Sequence, residues 1–500
     1  MKKKNPAINI TRRDFFRQSA CASIGTIGVV NTIANLRLMS AAMAACPNIT
    51  DYKALICLYM GGGNDSDNML IPYSGTERTN YENYRGSLAI DAQNLERIYP
   101  ENESREFGFH PNMPDIATMF NTGNLAMVNN VGTLLYPFAN RTEYLDGLVP
   151  APPNLFGHNT QSTHWMSSVP DKAFRSGWGG RIAEMLHASY NTGSTVSMNV
   201  SLNGLNNFMT GGGSVLGQFA VDPNATSFEL NGFGSAYNNA LDGSGAYRAT
   251  AEGDILKAVE GIHEQVRVHL MEEAYAKSFV DARASEEILT TTYAEAASTG
   301  VDLDTIFTNA DTSLGKQLKT VARIMAGRGC MGNKRQIFFV KAGGYDTHGS
   351  MLPAHADLMT ELNSSMKAFD EAIQALGLLS NTMLFTASEF GRTFAPNKSD
   401  ASAGSDHGWG GHAFVYGGAV KGKNFYGTYP SLEVGGDNES TTSNRGRWVP
   451  TTSVDQYGAV VTKWLGADSN SLETIFPNLH RFDDPFSSGT ANLDFVNFAI

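Results

Sequence analysis

The segment Ala54-Leu55-Ile56-Cys57-Leu58-Tyr59-Met60 is apolar at nearly every position and empties into Gly61-Gly62-Gly63-Asn64-Asp65. A run without hydrophobic alternation is the pattern of a parallel strand covered on both faces. Ile337-Phe338-Phe339-Val340 and Met383-Leu384-Phe385-Thr386 repeat it, each followed by a polar, acid-bearing loop. Between these two strands Ala354 to Leu378 reads as a helix, and the sheet pattern extends from Gln336 to Val420. Upstream, Pro114 to Asn121 reads as a short helix and Leu125 to Val131 as a strand. Gly177 to Tyr190 carries Trp178, Ile182, Met185 and Leu186 at helical spacing, and Thr195 to Leu202 alternates like a strand. Asn203 to Ser244 is rich in Gly, Asn and Ser, the composition of a surface excursion. Ala249 to Ser298 and Ser313 to Ala326 are helical by period and by Ala, Glu and Leu content. A final helix is expected over Val454 to Leu465. The pattern predicts an α/β fold: a central, mostly parallel sheet flanked by helices, with a Gly/Asn-rich and helical insertion near 203–330.

The first residues do not fit that pattern. Thr11-Arg12-Arg13-Asp14-Phe15-Phe16-Arg17 matches a twin-arginine export signal, with Lys2, Lys3 and Lys4 before it and an interrupted apolar stretch from Cys21 to Leu38 behind it. Ala42-Met43-Ala44 offers a small-residue cleavage site. Residues 1–45 are therefore expected to be a leader and 46–500 the mature domain. The translocase is the export partner, and the periplasm or the exterior is the destination. The apolar stretch is too short and interrupted to span a bilayer stably, so no integral membrane span is expected in the mature chain. Cys46 follows Met43-Ala44-Ala45, where a lipoprotein box has Leu rather than Met, which argues against a lipid anchor.

Composition narrows the classes. Five hundred residues with 42% hydrophobic content suffice for one large α/β domain with insertions or for two domains. The net charge of −12, without a Lys/Arg cluster in the mature chain, excludes a general nucleic-acid binder. Cys46, Cys57 and Cys330, the cysteines beyond the leader, are odd in number and show no C-x-x-C spacing. They indicate neither a disulfide framework nor a thiolate-ligated metal.

The polar loops carry the chemistry. Asp346-Thr347-His348-Gly349, Ser388-Glu389-Phe390-Gly391-Arg392-Thr393 and Asp406-His407-Gly408-Trp409-Gly410-Gly411-His412 place carboxylates and imidazoles beside glycines within a short stretch. That is ligand chemistry for a divalent ion such as zinc, manganese, magnesium or calcium, one or two of them. Acidic groups just past strand ends lie where open α/β sheets build their sites. The turn after the first strand adds Asp65 or Asp67. Its glycines lack the spacing of a phosphate-binding loop.

These segments, with Gly62-Gly63-Asn64-Asp65, Pro72-Tyr73 and His110-Pro111, resemble in this order the bacterial family known as domain of unknown function 1501. That family is placed with the alkaline phosphatase and sulfatase-like superfamily, which implies a two-metal rim on a mostly parallel sheet. The resemblance implies metal ligands at Asp65, Asp346, His348, Glu389 and His407, with Asp406 as an orienting group or a further ligand. Phe390 stands where an Asp-His pair would supply histidine. Arg392 is the natural clamp for a phosphate or sulfate oxyanion. The superfamily's nucleophile falls near His158, where Gly157 replaces an expected serine. Thr160, Ser162 and Thr163 remain as candidates, and attack by water would need none of them. His158 itself reads equally as a substrate or metal group and as a structural histidine, while His412 reads as a rim or core residue. The leading expectation is an exported metal-dependent hydrolase of phosphate or sulfate esters. The alternative is a non-catalytic, metal-containing protein on the same fold that binds a surface glycan or another envelope partner.

Overall fold

The computed structural model describes residues 49–192, 194, 196–212, 217–224, 239–242, 246–263, 288–441, 443–487 and 492–498. The expected leader, Cys46 and Thr195 lie outside them. In chain order the strands are β1 (Lys53–Met60), β2 (Leu70–Pro72), β3 (Glu96–Ile98), β4 (Phe107–Phe109), β5 (Leu125–Gly132), β6 (Asn199–Ser201), β7 (Phe219–Ala220), β8 (Arg335–Ala342), β9 (Thr382–Ser388), β10 (Gly411–Tyr416), β11 (Phe425–Tyr426) and β12 (Thr452–Ser453). Nine of them form the main sheet, ordered β11-β5-β10-β9-β1-β8-β6-β7, with β12 also on β5. Only β10 runs against the rest, antiparallel to both β9 and β5. The remaining three make a small antiparallel sheet, β2-β4-β3, for which the hydrophobic pattern raised no expectation.

The apolar run of β1 explains its central place. Ala54 to Met60 are all buried, and β1 pairs in parallel with β8 on one side and β9 on the other. Leu55, Cys57 and Tyr59 join a core with Trp178, Ile182, Val460 and Trp464 from the helices Trp178–Tyr190 and Val454–Leu465. Ile56 and Leu58, pointing oppositely, are equally buried. The helix Ser313–Ala326, expected within the insertion, packs against β8 and against the helix Met351–Ala375. β6 reaches only as far as Phe339 along β8. Beyond it, Gln317 supplies the missing pairing: its amide donates to the Lys341 carbonyl at 3.0 Å and accepts from the Lys341 amide at 2.9 Å.

The chain folds as two compact units, one of residues 47–225 and 292–500 and one that includes 226–291. Within the second, the helix Ala251–His263 places Leu256 in a small cluster with Ala240, Leu241 and Tyr247. No helix among the described residues is long and apolar enough to cross a membrane. Cys57 is a free, buried thiol, whereas Cys330 is disulfide-bonded, which the odd cysteine count had not indicated.

The helix Val454–Leu465 begins with a capping box, Ser453 and Gln456 bonding reciprocally. In its first turn Asp455 is buried, with Oδ1 unpartnered among the described residues. Burial pushes its carboxyl up to about 7. Between the usual carboxylate range and pH 7 the folded chain therefore keeps a proton that the unfolded chain releases. The contribution to stability is complete below about pH 4 and lost as pH rises to 7. Asp455→Asn is expected to match the wild type in thermal unfolding at pH 4 and to exceed it at pH 8, by a few kcal/mol at most. Equal midpoints at both pH values would refute this.

Candidate metal centre

Parallel pairing aligns the ends of three strands. Met60 lies opposite Ala342 and Ser388, so the loops after β1, β8 and β9 leave the sheet at one level. The β10 strand enters at that edge because it runs the other way. The loop before it runs alongside the loop after β9: Gly391 N donates to Trp409 O at 3.0 Å and Thr393 N to Asp406 O at 2.8 Å. Gly62 sits beneath all of this. Its φ is +114°, and a Cβ there would meet the Asp346 amide nitrogen at 2.4 Å. Its N–H donates to Glu389 Oε1 at 3.1 Å and its carbonyl accepts from Arg392 at 3.1 Å. The glycine turn thus braces the site rather than cradling a phosphate.

Four groups converge above it. Asp346 Oδ1 lies 3.0 Å from His348 Nε2 and 3.2 Å from His407 Nε2, and Oδ2 lies 3.4 Å from His158 Nε2. The Nε2 atoms of His348 and His407 are 2.9 Å apart. His158, Asp346 and His407 each place a ligand atom within 4.8 Å of the others. The opposite nitrogen of every ring is engaged. His158 Nδ1 meets Glu389 Oε2 at 2.5 Å, His348 Nδ1 meets Asp406 Oδ1 at 3.0 Å, and His407 Nδ1 meets the Phe156 carbonyl at 2.7 Å. All three partners are oxygens that accept, so each Nδ1 carries the proton. The rings then turn three Nε2 atoms and a carboxylate towards one another, an arrangement that a cation or added protons relieve. Ligands at about 2.0–2.1 Å from zinc lie about 3.3 Å apart, close to the 3.0, 3.2 and 3.4 Å at which Asp346 meets the three rings. His158, Asp346 and His407 are the mutually close set whose chemistry suits one divalent ion, with His348 at its side.

Electrostatics agree. Burial works to raise the Asp346 carboxyl, but the Arg392 hydrogen bond and charge outweigh it and hold the group below its usual range. Burial lowers His407, keeping its ring neutral and its lone pair available. Phe390, standing where a histidine was expected, stacks on His407 at 4.7 Å and lies 5.1 Å from the His158 ring. Phe390 thus gives the two imidazoles an apolar wall.

Of the ligands expected from sequence, Asp346, His348 and His407 come together. Glu389 stands behind His158 as its anchor, and Asp406 behind His348. Asp65 is elsewhere: its Oδ2 pairs with Arg85 at 2.5 Å and accepts from Ser405 at 3.0 Å, with both charged side chains fully buried. Asp67 is buried too, accepting from Trp448 Nε1 at 3.1 Å. Arg392 is not placed to clamp an oxyanion. Its guanidinium is fully buried and spent on Asp346, the Gly62 carbonyl, and the Ser405 hydroxyl and carbonyl. It positions Asp346 instead. Ser162 accepts from the Tyr59 hydroxyl at 2.9 Å, and Thr163 donates to the Asn159 carbonyl. Among the described residues neither Thr160 nor Ser162 is hydrogen-bonded to the four converging groups. His412 is a core residue, stacked on Tyr429 at 4.7 Å.

His158 is the member that sequence reading left open. It is the first residue of the helix His158–Ser167, after a loop in which Phe156 adopts φ +71°. For a bulky side chain that is a genuine outlier, and it belongs to the residue whose carbonyl receives His407. The only local sign was the Gly157-His158 pair after a proline-rich turn. The chain matches, over residues 52–445, the model of a family described as "Protein of unknown function (DUF1501)". No curated protein and no solved structure matches it.

Proposed function

The chain belongs to the DUF1501 family, whose description names no activity, and we propose from the site itself that it is an exported, metal-dependent hydrolase of phosphate or sulfate esters. The observation that carries this reading is the convergence of the His158, His348 and His407 Nε2 atoms on Asp346, with every Nδ1 anchored. Metal-binding histidines are oriented in this way by carboxylates and carbonyls behind them. A divalent ion in that position supplies Lewis-acid polarisation of an ester oxygen. Glu389 fixes the His158 ring, Asp406 fixes that of His348, and Arg392 keeps Asp346 ionised. The position at the carboxyl ends of parallel strands is the usual one for ligands of such sheets. The alkaline phosphatase-like relationship implied by the sequence resemblance supports the ester class, and the leader and the Cys330 disulfide suit an oxidising, exported setting.

The mature protein, loaded with zinc or manganese, is expected to turn over at least one member of a phosphomonoester, phosphodiester and sulfate ester panel, and Asp346→Asn is expected to abolish that turnover. No turnover by the loaded protein, or turnover indifferent to Asp346→Asn, would reject the reading. A second reading is favoured by the fully engaged Arg392 and by the lack of a hydroxyl bonded to the cluster among the described residues. It is a metal-containing protein that binds an envelope glycan without catalysis. Ion binding and glycan retention without turnover would select it.

A further inference from the structure

The loop that precedes β12 brings two more charges to this edge. Glu439, fully buried, collects the Gly446 amide and the Thr441 hydroxyl at 2.7 Å each, and the Gly435 amide as well. Arg445 O and Gly446 O accept from Ala395 N and Phe394 N at 3.0 and 2.9 Å, tying the loop to the segment after Arg392. The segment so pinned carries Arg445 and Arg447. Arg445 pairs with Asp406 Oδ2 at 2.6 Å, and the other oxygen of that carboxylate holds His348. Arg447 lies over the Phe156 ring, 4.3 Å from its centroid, and the carbonyl of that same residue holds His407. Each guanidinium is thus one residue removed from a histidine of the candidate centre.

Asp406 and Glu439 are the carboxylates whose charge favours Arg447, and both have other hydrogen-bonding work. Asp406 is shared between Arg445 and His348, and Glu439 is occupied by the loop backbone. Arg447, half-buried, has no ion pair and no hydrogen bond to its guanidinium among the described residues, and the Nε of both arginines is buried without a partner there. A guanidinium lying over an aromatic ring keeps its N–H edge for an acceptor elsewhere. Burial, and then the Arg445 charge, oppose the protonated form of Arg447, a cost that a bound anion relieves.

We propose that Arg445 and Arg447 form an oxyanion cradle beside the metal centre, and that Arg447 is the residue that selects a ligand bearing a phosphate or sulfate group. The proposal deepens the metal-dependent reading above and rests on it for where the substrate lies. The clamp that sequence assigned to Arg392 falls to Arg447, whose N–H groups are uncommitted among the described residues.

Calorimetric titration of the full mature protein with inorganic phosphate and with sulfate, metal-loaded and chelator-stripped, tests it. Arg447→Gln is expected to weaken binding of the preferred anion by at least about 10-fold, with Arg447→Lys intermediate because it keeps charge but loses the fork. Metal stoichiometry stays as in the wild type. The stronger of the two wild-type titrations identifies the oxyanion. Anion binding that survives metal stripping and is lost in Arg447→Gln upholds the cradle even if the metal-dependent reading fails. Two results overturn it: an anion affinity unchanged in Arg447→Gln, or no binding of either anion to the wild type at millimolar concentration. If Arg447→Gln does not fold, the Arg447→Lys titration decides by the same criteria.

Discussion

Replacing His407 with alanine is expected to lower the affinity of the mature protein for zinc by at least about 100-fold, from one tightly held ion per chain. Four-ligand sites bind zinc with roughly 10–16 kcal/mol, so one ligand accounts for about 2.5–4 kcal/mol. Competition against a chromophoric chelator reads the change directly. His407 is the sharpest choice because its Nε2 lies against both His348 Nε2 and Asp346 Oδ1, while its Nδ1 is held by a backbone carbonyl that mutation elsewhere does not remove. Glu389→Gln removes the charge behind His158 and turns one of two accepting oxygens into a donor, and should cost roughly 10-fold. His412→Ala, in a core ring stacked on Tyr429, should leave zinc affinity alone. Equal affinity in His407→Ala and wild type would mean that the convergence of imidazoles serves protons rather than a metal.

The second large effect is on stability. Asp65→Ala leaves Arg85 fully buried without its counter-ion, and breaking a buried pair in this way costs about 3–5 kcal/mol. Urea denaturation should show the loss, and Arg85→Met in the same chain should recover most of it, because an apolar pair carries no uncompensated charge. Arg85 also donates to the Thr393 and Phe394 carbonyls at 3.2 and 2.7 Å, so the pair braces the segment that follows Arg392. Asp65→Ala is nevertheless expected to bind zinc like the wild type once folded. Loss of zinc with unchanged stability would restore Asp65 to the ligands.

What the sequence made legible, and what it did not, follows from the range of the forces involved. The unbroken apolar run of β1 announced a strand buried on both faces, and the helices at Ser313–Ala326 and Val454–Leu465 announced themselves by period and composition. Asp346, His348 and His407 were legible because strand ends deliver their loops to a common edge. Asp65 sits on an equally plausible loop. Its fate was decided by Arg85, a residue of the helix Gly75–Arg85 that carries no sign of burial in its own sequence. His158 was ambiguous because its anchor, Glu389, is 231 positions away and no local pattern encodes the pairing. Phe390 looked like a missing ligand and proved to be a wall, a distinction that depends on which ring it faces. Arg392 looked free until its backbone and side-chain acceptors were in place. Charge type is written in the sequence; charge balance is a property of the fold.

The alignment of Met60 with Ala342 and Ser388 sets a timetable. A ribosome has made β1 long before it makes either of the strands that β1 must lie between. For most of synthesis that apolar strand has no partner of its own sheet, and pairings so distant along the chain are slow to close. The histidines are brought together only after the loop before β10 has emerged and found the others. The nascent protein therefore offers no completed pocket for most of its manufacture, and loading of the proposed centre would be an event of the finished molecule.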